Sequence, residues 1–162
     1  MGPLQGLKVV DVSRYIAGPY CAMLLGDLGA EVIKVEKIKT GEETRGIEPL
    51  IGGDSLFFMV FNRNKKSITL NLRDPLGQEI LRKLATEADI LVENFRPGIM
   101  EKMGCGWEVL HELNPQLIMA RISGYGHEGP SSDRPCFDAV AQAASGLMSM
   151  TGAPDGPPTL MG

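Results

Sequence analysis

Histidine is nearly absent from this 162-residue chain. His111 and His127 are the only two, so a His-rich metal site or a Ser-His-Asp triad has little to build from. Cysteine is scarce as well. Cys21, Cys105 and Cys136 are odd in number and contain no C-x-x-C pair, which favours free thiols in a reducing compartment over a disulfide framework or a zinc site. Each reads as a small buried hydrophobe. Positive charge is not in excess: 16 Lys and Arg stand against 20 Asp and Glu, for a net charge of -4 and a pI near 5.2. With no basic stripe, nucleic acid is not expected as a partner. No apolar run approaches the about 18 residues of a membrane span, and the first residues resemble neither a secretory signal nor a transit helix. A cytoplasmic chain without a membrane partner is therefore expected. Two nucleotide motifs are also missing. No G-x-x-x-x-G-K-[ST] occurs, and Ser13 to Gly18 supplies one glycine where G-x-G-x-x-G needs three.

What the chain does have is apolar content, 43%, enough for one domain with a sizeable core, and a recurring strand-helix-strand pattern. Leu7, Val9, Val10 and Val12 form one short β-branched run and Val32, Ile33 and Val35 a second, as suits strands covered on both faces of a parallel sheet. Between them a helix is expected, with Pro19 in its first turn, Ala22, Leu25 and Leu28 on its buried face and Gly29 as its stop. The connecting turn, residues 14–18, places backbone N–H groups at the carboxyl edge of the sheet, where α/β folds commonly bind phosphates and nucleotides.

The polar segment from Lys37 to Asp54 reads as a long surface loop, either a solvated connector or a ligand-facing one. Ser55 can cap a short apolar helix over residues 56–61, and the cluster Asn62 to Lys66 reads as that helix's end. Residues 67–72 alternate like a strand, Asp74-Pro75 opens a helix buried along Ile80, Leu81, Leu84 and Ala88, and residues 89–93 form the next strand. A right-handed crossover lays this second βαβ unit on the same sheet, with residues 94–98 as the turn at its carboxyl end. A short helix follows, ending at Gly104. Trp107 to Asn114 is then a helix halted by Pro115, 117–122 a strand, 124–135 a Gly- and Pro-rich loop, and Phe137 to Met150 a helix with Val140, Ala143, Ala144, Leu147 and Met148 on one face. Asp138, in the first turn of that helix, reads either as a cap or as a functional carboxylate.

Five blocks taken together resemble one family: V-V-D-V-S-R-Y-I-A-G-P (9–19), G-D-L-G-A-E-V-I-K-V-E (26–36), N-R-N-K-K-S-I-T-L-N-L (62–72), V-E-N-F-R-P-G (92–98) and F-D-A-V-A-Q-A-A-S-G-L (137–147). The chain is similar to the family III CoA-transferases, a group that includes formyl-CoA and carnitine CoA-transferases and the related α-methylacyl-CoA racemase. The likeness runs in unbroken order from Leu4 to Gly162. It implies a Rossmann-like α/β fold, a parallel sheet with helices on both faces, that binds coenzyme A or an acyl-CoA as substrate, with no metal. It also implies an interlocked homodimer in the full-length protein.

Carried over by position, Ile16 and Ala17 would border the adenine end of CoA with Lys37 beside them. Leu70 and Arg73 would contact the nucleotide, and Asn94, Phe95, Lys102 and Met103 would line the pyrophosphate and pantetheine path. The resemblance further implies a catalytic aspartate about thirty residues beyond Asp138, hence just past Gly162, with Asp138 in support. That aspartate takes the acyl group as a mixed anhydride and passes through an aspartyl thioester to the acceptor. Residues 1–162 are thus expected to be an amino-terminal CoA-binding portion, inactive alone. The racemase branch needs a histidine where Phe137 stands, and the formyl-CoA transferases of oxalate metabolism carry Tyr-Glu in place of Phe137-Asp138. The first departure argues against racemisation, since Phe137 cannot move a proton, and the second against oxalate as the acceptor. The alternatives are a racemase-like isomerase and a CoA-binding fragment without activity.

Overall fold

The computed structural model describes residues 2–161. They divide into two compact units, meeting between Ile122 and Ser123, each described here by itself. In the first unit the chain runs through β1 (Lys8–Asp11), α1 (Ala17–Asp27) and β2 (Glu31–Glu36). A 3-10 turn (Glu43–Gly46) and a hairpin of β3 (Leu50–Ile51) and β4 (Asp54–Ser55) lead into α2 (Leu56–Asn62). Then come β5 (Lys65–Thr69), α3 (Pro75–Thr86), β6 (Ile90–Glu93), α4 (Ile99–Lys102), α5 (Trp107–Leu113) and β7 (Ile118–Arg121).

Five strands make one parallel sheet in the order β5-β2-β1-β6-β7. Alternation along each strand decides which layer a side chain joins. Val9, Val32 and Val92 pack with Ala22 of α1 on one face. Val10, Val35 and Leu91 pack with Leu81 and Ala85 of α3, Met100 of α4 and Leu110 of α5 on the other. The sheet is therefore covered by helices on both faces, which is why its strands are apolar runs rather than apolar/polar alternations. The chain order reverses its direction of growth at β1, leaving a crevice between the carboxyl ends of β1 and β6.

The expected caps form. The Asp74 carboxylate accepts from the Leu76 N–H at 2.9 Å, and the Ser55 hydroxyl accepts from the Phe58 N–H at 3.4 Å. Other expectations are corrected. Leu28 is not on the buried face of α1; it caps the helix, 46% exposed, while Met23 is buried beside Ala22. The cluster is a helix end only in its first residues: α2 stops at Asn62 with Arg63 as its C-cap, whereas Lys65 and Lys66 open β5, which ends at Thr69 rather than Leu72. The segment 37–54 contains the 3-10 turn and hairpin, and its Glu42 and Thr44 are buried.

In the second unit, α6 (Asp138–Ala144) is shorter than expected. Gly146 takes a left-handed φ of +80°, which ends the helical path, and a 3-10 turn covers Leu147–Met150. Within this unit the expected apolar face is not covered: Val140 is exposed, and Gln142 is the buried side chain of α6.

Candidate active site at the carboxyl edge of the sheet

Asp11, the last residue of β1, is fully buried and has two ammonium partners: Lys65 at 2.8 Å and Lys34 at 3.4 Å, both themselves buried. Its other oxygen accepts from the Ser13 N–H at 2.9 Å and from the Ser13 hydroxyl. The lysines in turn hold backbone: Lys34 donates to the Ser13 carbonyl at 2.5 Å and Lys65 to the Pro19 carbonyl at 2.9 Å. Burial pushes the Lys65 ammonium down in pKa, and Asp11 opposes that by favouring its charge. The turn from β1 into α1 is thus fastened from below at both ends. Gly18 is required inside it, since a Cβ there would lie 2.2 Å from the Ser13 Cβ.

Asn94, leaving β6, fastens the same turn from the side. Its amide oxygen accepts from the Arg14 N–H at 2.8 Å and its amide nitrogen donates to the Arg14 carbonyl at 2.7 Å. This two-way pairing spans the crevice where the sheet order reverses. Phe95 follows and stacks under the Arg14 guanidinium, 4.8 Å from the ring centre. Tyr15 adopts a left-handed φ of +61°, uncommon for a bulky side chain, and its N–H is held by a Glu42 oxygen at 2.7 Å. Ile16 and Ala17 lie exposed on this turn.

The segment after β2 closes over the edge through carboxylates. Glu36, at the end of β2, accepts from Arg45 at 2.6 and 2.7 Å, from the Ser67 hydroxyl at 2.6 Å and from the Glu42 N–H at 2.9 Å. Burial alone would raise its pKa; Arg45, Ser67 and the Glu42 N–H outweigh it and bring the carboxyl down to about 2. Glu43 is shared by two cations, accepting from Arg14 at 3.3 Å and from Lys37.

The structure therefore brings Ile16, Ala17, Lys37, Asn94 and Phe95 to one sheet edge. Leu70, Phe95 and Met103 pack, half-buried, against the same apolar cluster beneath it. Leu70 continues the edge, its N–H bonded to the Glu36 carbonyl at 2.9 Å. Arg73 and Lys102 are exposed, and neither side chain has an ion pair among the described residues. Asp138 lies in the second unit. It is not a side-chain cap; its carboxylate accepts from Gln142 at 2.6 Å, and Gln142 also binds the Met161 backbone at both 2.8 and 2.9 Å. Of the thiols, Cys105 is buried and Cys21 partly so, and burial raises both pKa values, so neither is poised as a thiolate nucleophile. Asp11, Arg14, Glu36, Glu42 and Arg45 were not singled out from the sequence. For Asp11, Arg14 and Glu36 the signal available was position, at or just past the carboxyl end of an apolar strand; Glu42 and Arg45 lie in the loop beyond β2 and carried no such signal.

The profile of the CoA-transferase family III matches residues 4–162, nearly the whole chain. The chain belongs to this family. Human succinyl-CoA:glutarate CoA-transferase is 48% identical over 161 residues, covering 99% of this chain and 37% of that protein. Acetyl-CoA:oxalate CoA-transferase of Acetobacter aceti is 45% identical over 161 residues, covering 99% and 41%. A crystal structure of a CAIB/BAIF family protein from Brucella suis superposes with a TM-score of 0.94 at 43% identity, over 99% of this chain and 44% of that one. The family III chain described here thus spans about two fifths of the length of these curated relatives. No helix among the described residues is long and apolar enough to cross a membrane.

Proposed function

We propose that this family III chain supplies the CoA-binding edge of an enzyme that moves CoA between an acyl-CoA and a small dicarboxylic acid. The observation that carries the reading is the Asn94–Arg14 pairing across the β1/β6 crevice. It presents Ile16, Ala17, Lys37 and Phe95 together, an apolar and cationic surface suited to a nucleotide with several phosphates. Glutarate and oxalate, the acids in the relatives' names, are both dicarboxylic, which supports that class of acceptor.

In the reaction proposed, an aspartate carboxylate beyond Gly162 attacks the thioester carbonyl, forming a mixed anhydride and releasing the CoA thiolate. The thiolate attacks the aspartyl carbonyl, giving an aspartyl thioester and the donor acid. The acceptor carboxylate then displaces CoA to form a second anhydride, and the thiolate returns to the acceptor's acyl carbon, regenerating the aspartate. Ile16 and Ala17 bound the adenine and Leu70 contacts the nucleotide, Lys37, Arg73 and Lys102 offer charge to the phosphates, and Asn94, Phe95 and Met103 line the arm. Asp138 supports the aspartate, and the full-length protein works as an interlocked homodimer.

The test uses the full-length protein, incubated with succinyl-CoA, acetyl-CoA or glutaryl-CoA and then hydroxylamine. Mass spectrometry is expected to find one aspartate converted to a hydroxamate. Demonstrated binding of these thioesters with neither adduct nor CoA exchange would overturn the transferase reading.

A further inference from the structure

Gln142 is a polar side chain buried on a helix whose neighbouring side chains are alanines. It is 5% exposed on α6, between Ala141 and Ala143. Three hydrogen bonds occupy its amide. Nε2 donates to the Asp138 carboxylate at 2.6 Å and to the Met161 carbonyl at 2.9 Å, and Oε1 accepts from the Met161 N–H at 2.8 Å. A side-chain amide carries the donor and acceptor of a peptide group, so the last two bonds pair it with Met161 as a neighbouring strand would. Asp138 decides which way round the amide sits: a carboxylate accepts only, so it draws Nε2 and leaves Oε1 for the Met161 N–H. The tail that Gln142 grips is already directed. Pro157 and Pro158 fix their own φ angles, and the Thr159 N–H donates to the Met148 carbonyl at 3.4 Å. Apolar packing would hold this tail to α6 in any register. A fully paired buried amide accepts one residue's N–H and C=O, and so sets the register.

We infer, on the transferase reading that places the nucleophilic aspartate beyond Gly162, that Gln142 is a positioning residue: its amide clamps the backbone at Met161 and so aims the aspartate that follows. Asp138 then acts through Gln142, by orienting the amide, and the support it gives the aspartate is transmitted along the chain. The clamp also borders open space. Asp138, Ala141, Gln142 and Ser145 line, with Gly124 and Tyr125, a cleft of about 420 Å3 beside α6. A nucleophile held from such a wall keeps its approach to a thioester carbonyl, and a misplacement of about 1 Å is enough to cost on the order of 100-fold in rate. The clamp touches no reacting atom, so it governs the rate of acyl transfer and leaves the affinity for CoA alone.

The test uses the full-length protein with saturating succinyl-CoA. Gln142→Leu keeps the bulk on α6 and removes both bonds to Met161. It is expected to slow formation of the hydroxylamine-trapped adduct roughly tenfold or more, with calorimetric CoA affinity unchanged. Hydrogen exchange in the peptide containing Met161 is expected to become faster. Gln142→Glu keeps an acceptor for the Met161 N–H, loses the donor and sets a second carboxylate beside Asp138. It is expected to slow the adduct in the same way, and it carries the test if the leucine variant does not fold. A contact that only holds the fold together would lower adduct formation and CoA affinity in proportion, and an idle one would lower neither. Either result overturns the positioning role. Should the unsubstituted protein bind CoA thioesters yet form no adduct, the transferase reading fails. The clamp is then judged by Met161 exchange alone, and exchange unchanged in both variants overturns it.

Discussion

The two ends of the same five-stranded sheet carry similar ion pairs in opposite surroundings. At the amino end, Lys8 meets Glu87 at 3.4 Å and Lys66 meets Glu31 at 2.6 Å, with all four side chains about half exposed or more. At the carboxyl end, Asp11, Lys34 and Glu36 are buried, Lys65 reaches the Asp11 carboxylate from the start of β5, and nearly every polar atom among them has a named partner. Exposed pairs are screened by water and hold little. Buried ones cost desolvation that only full pairing offsets, so a chain that concentrates them at one edge has fixed the backbone there at the expense of adaptability. The lesson is that the carboxyl edge is built as a rigid platform, and the amino edge is a solvated boundary.

Breaking the platform should have by far the larger effect. Asp11→Asn leaves Lys34 and Lys65 buried without an anion and is expected to cost about 3–5 kcal/mol in urea unfolding. The counterpart at the other edge, Lys66→Ala, should leave the urea midpoint unchanged. Equal losses at the two ends would erase the distinction.

Acid sharpens the same contrast. The Glu36 carboxyl is held at about 2 against an ordinary 4.5, so the folded state binds its proton less readily than the unfolded chain. Its contribution is fully present above pH 4.5 and is lost as pH falls from 4.5 toward 2. It amounts to roughly 3 kcal/mol. Glu36→Gln should flatten the fall in stability across that window, measured by urea titration at successive pH values. An unaltered pH profile would show that Arg45 and Ser67 do not hold the charge.

Much of the fold was legible because local and global signals agree. The apolar runs at 7–12 and 89–93 become central strands, and Asp74-Pro75 opens α3 where a cap and a first-turn proline should stand. Other features depended on distant partners. Lys65 reads as a surface cation until Asp11, 54 residues earlier, takes its ammonium. Glu42 and Arg45 look like loop residues because their partners, the Tyr15 N–H and Glu36, come together only when the sheet forms. Of the site residues carried over by resemblance, Ile16, Ala17, Leu70, Asn94, Phe95 and Asp138 lie inside ordered motif blocks, and Lys37, Arg73, Lys102 and Met103 lie past the blocks' ends. The platform beneath them has no motif of its own and follows from strand register.

The most direct test of the central claim, that this edge binds CoA through its phosphates, is calorimetric CoA titration of Lys37→Glu, Arg73→Glu and Lys102→Glu in the full-length protein. The account predicts that each reversal weakens CoA by roughly tenfold or more while the fold, judged by urea midpoint, is retained. Undiminished CoA affinity in all three would contradict it.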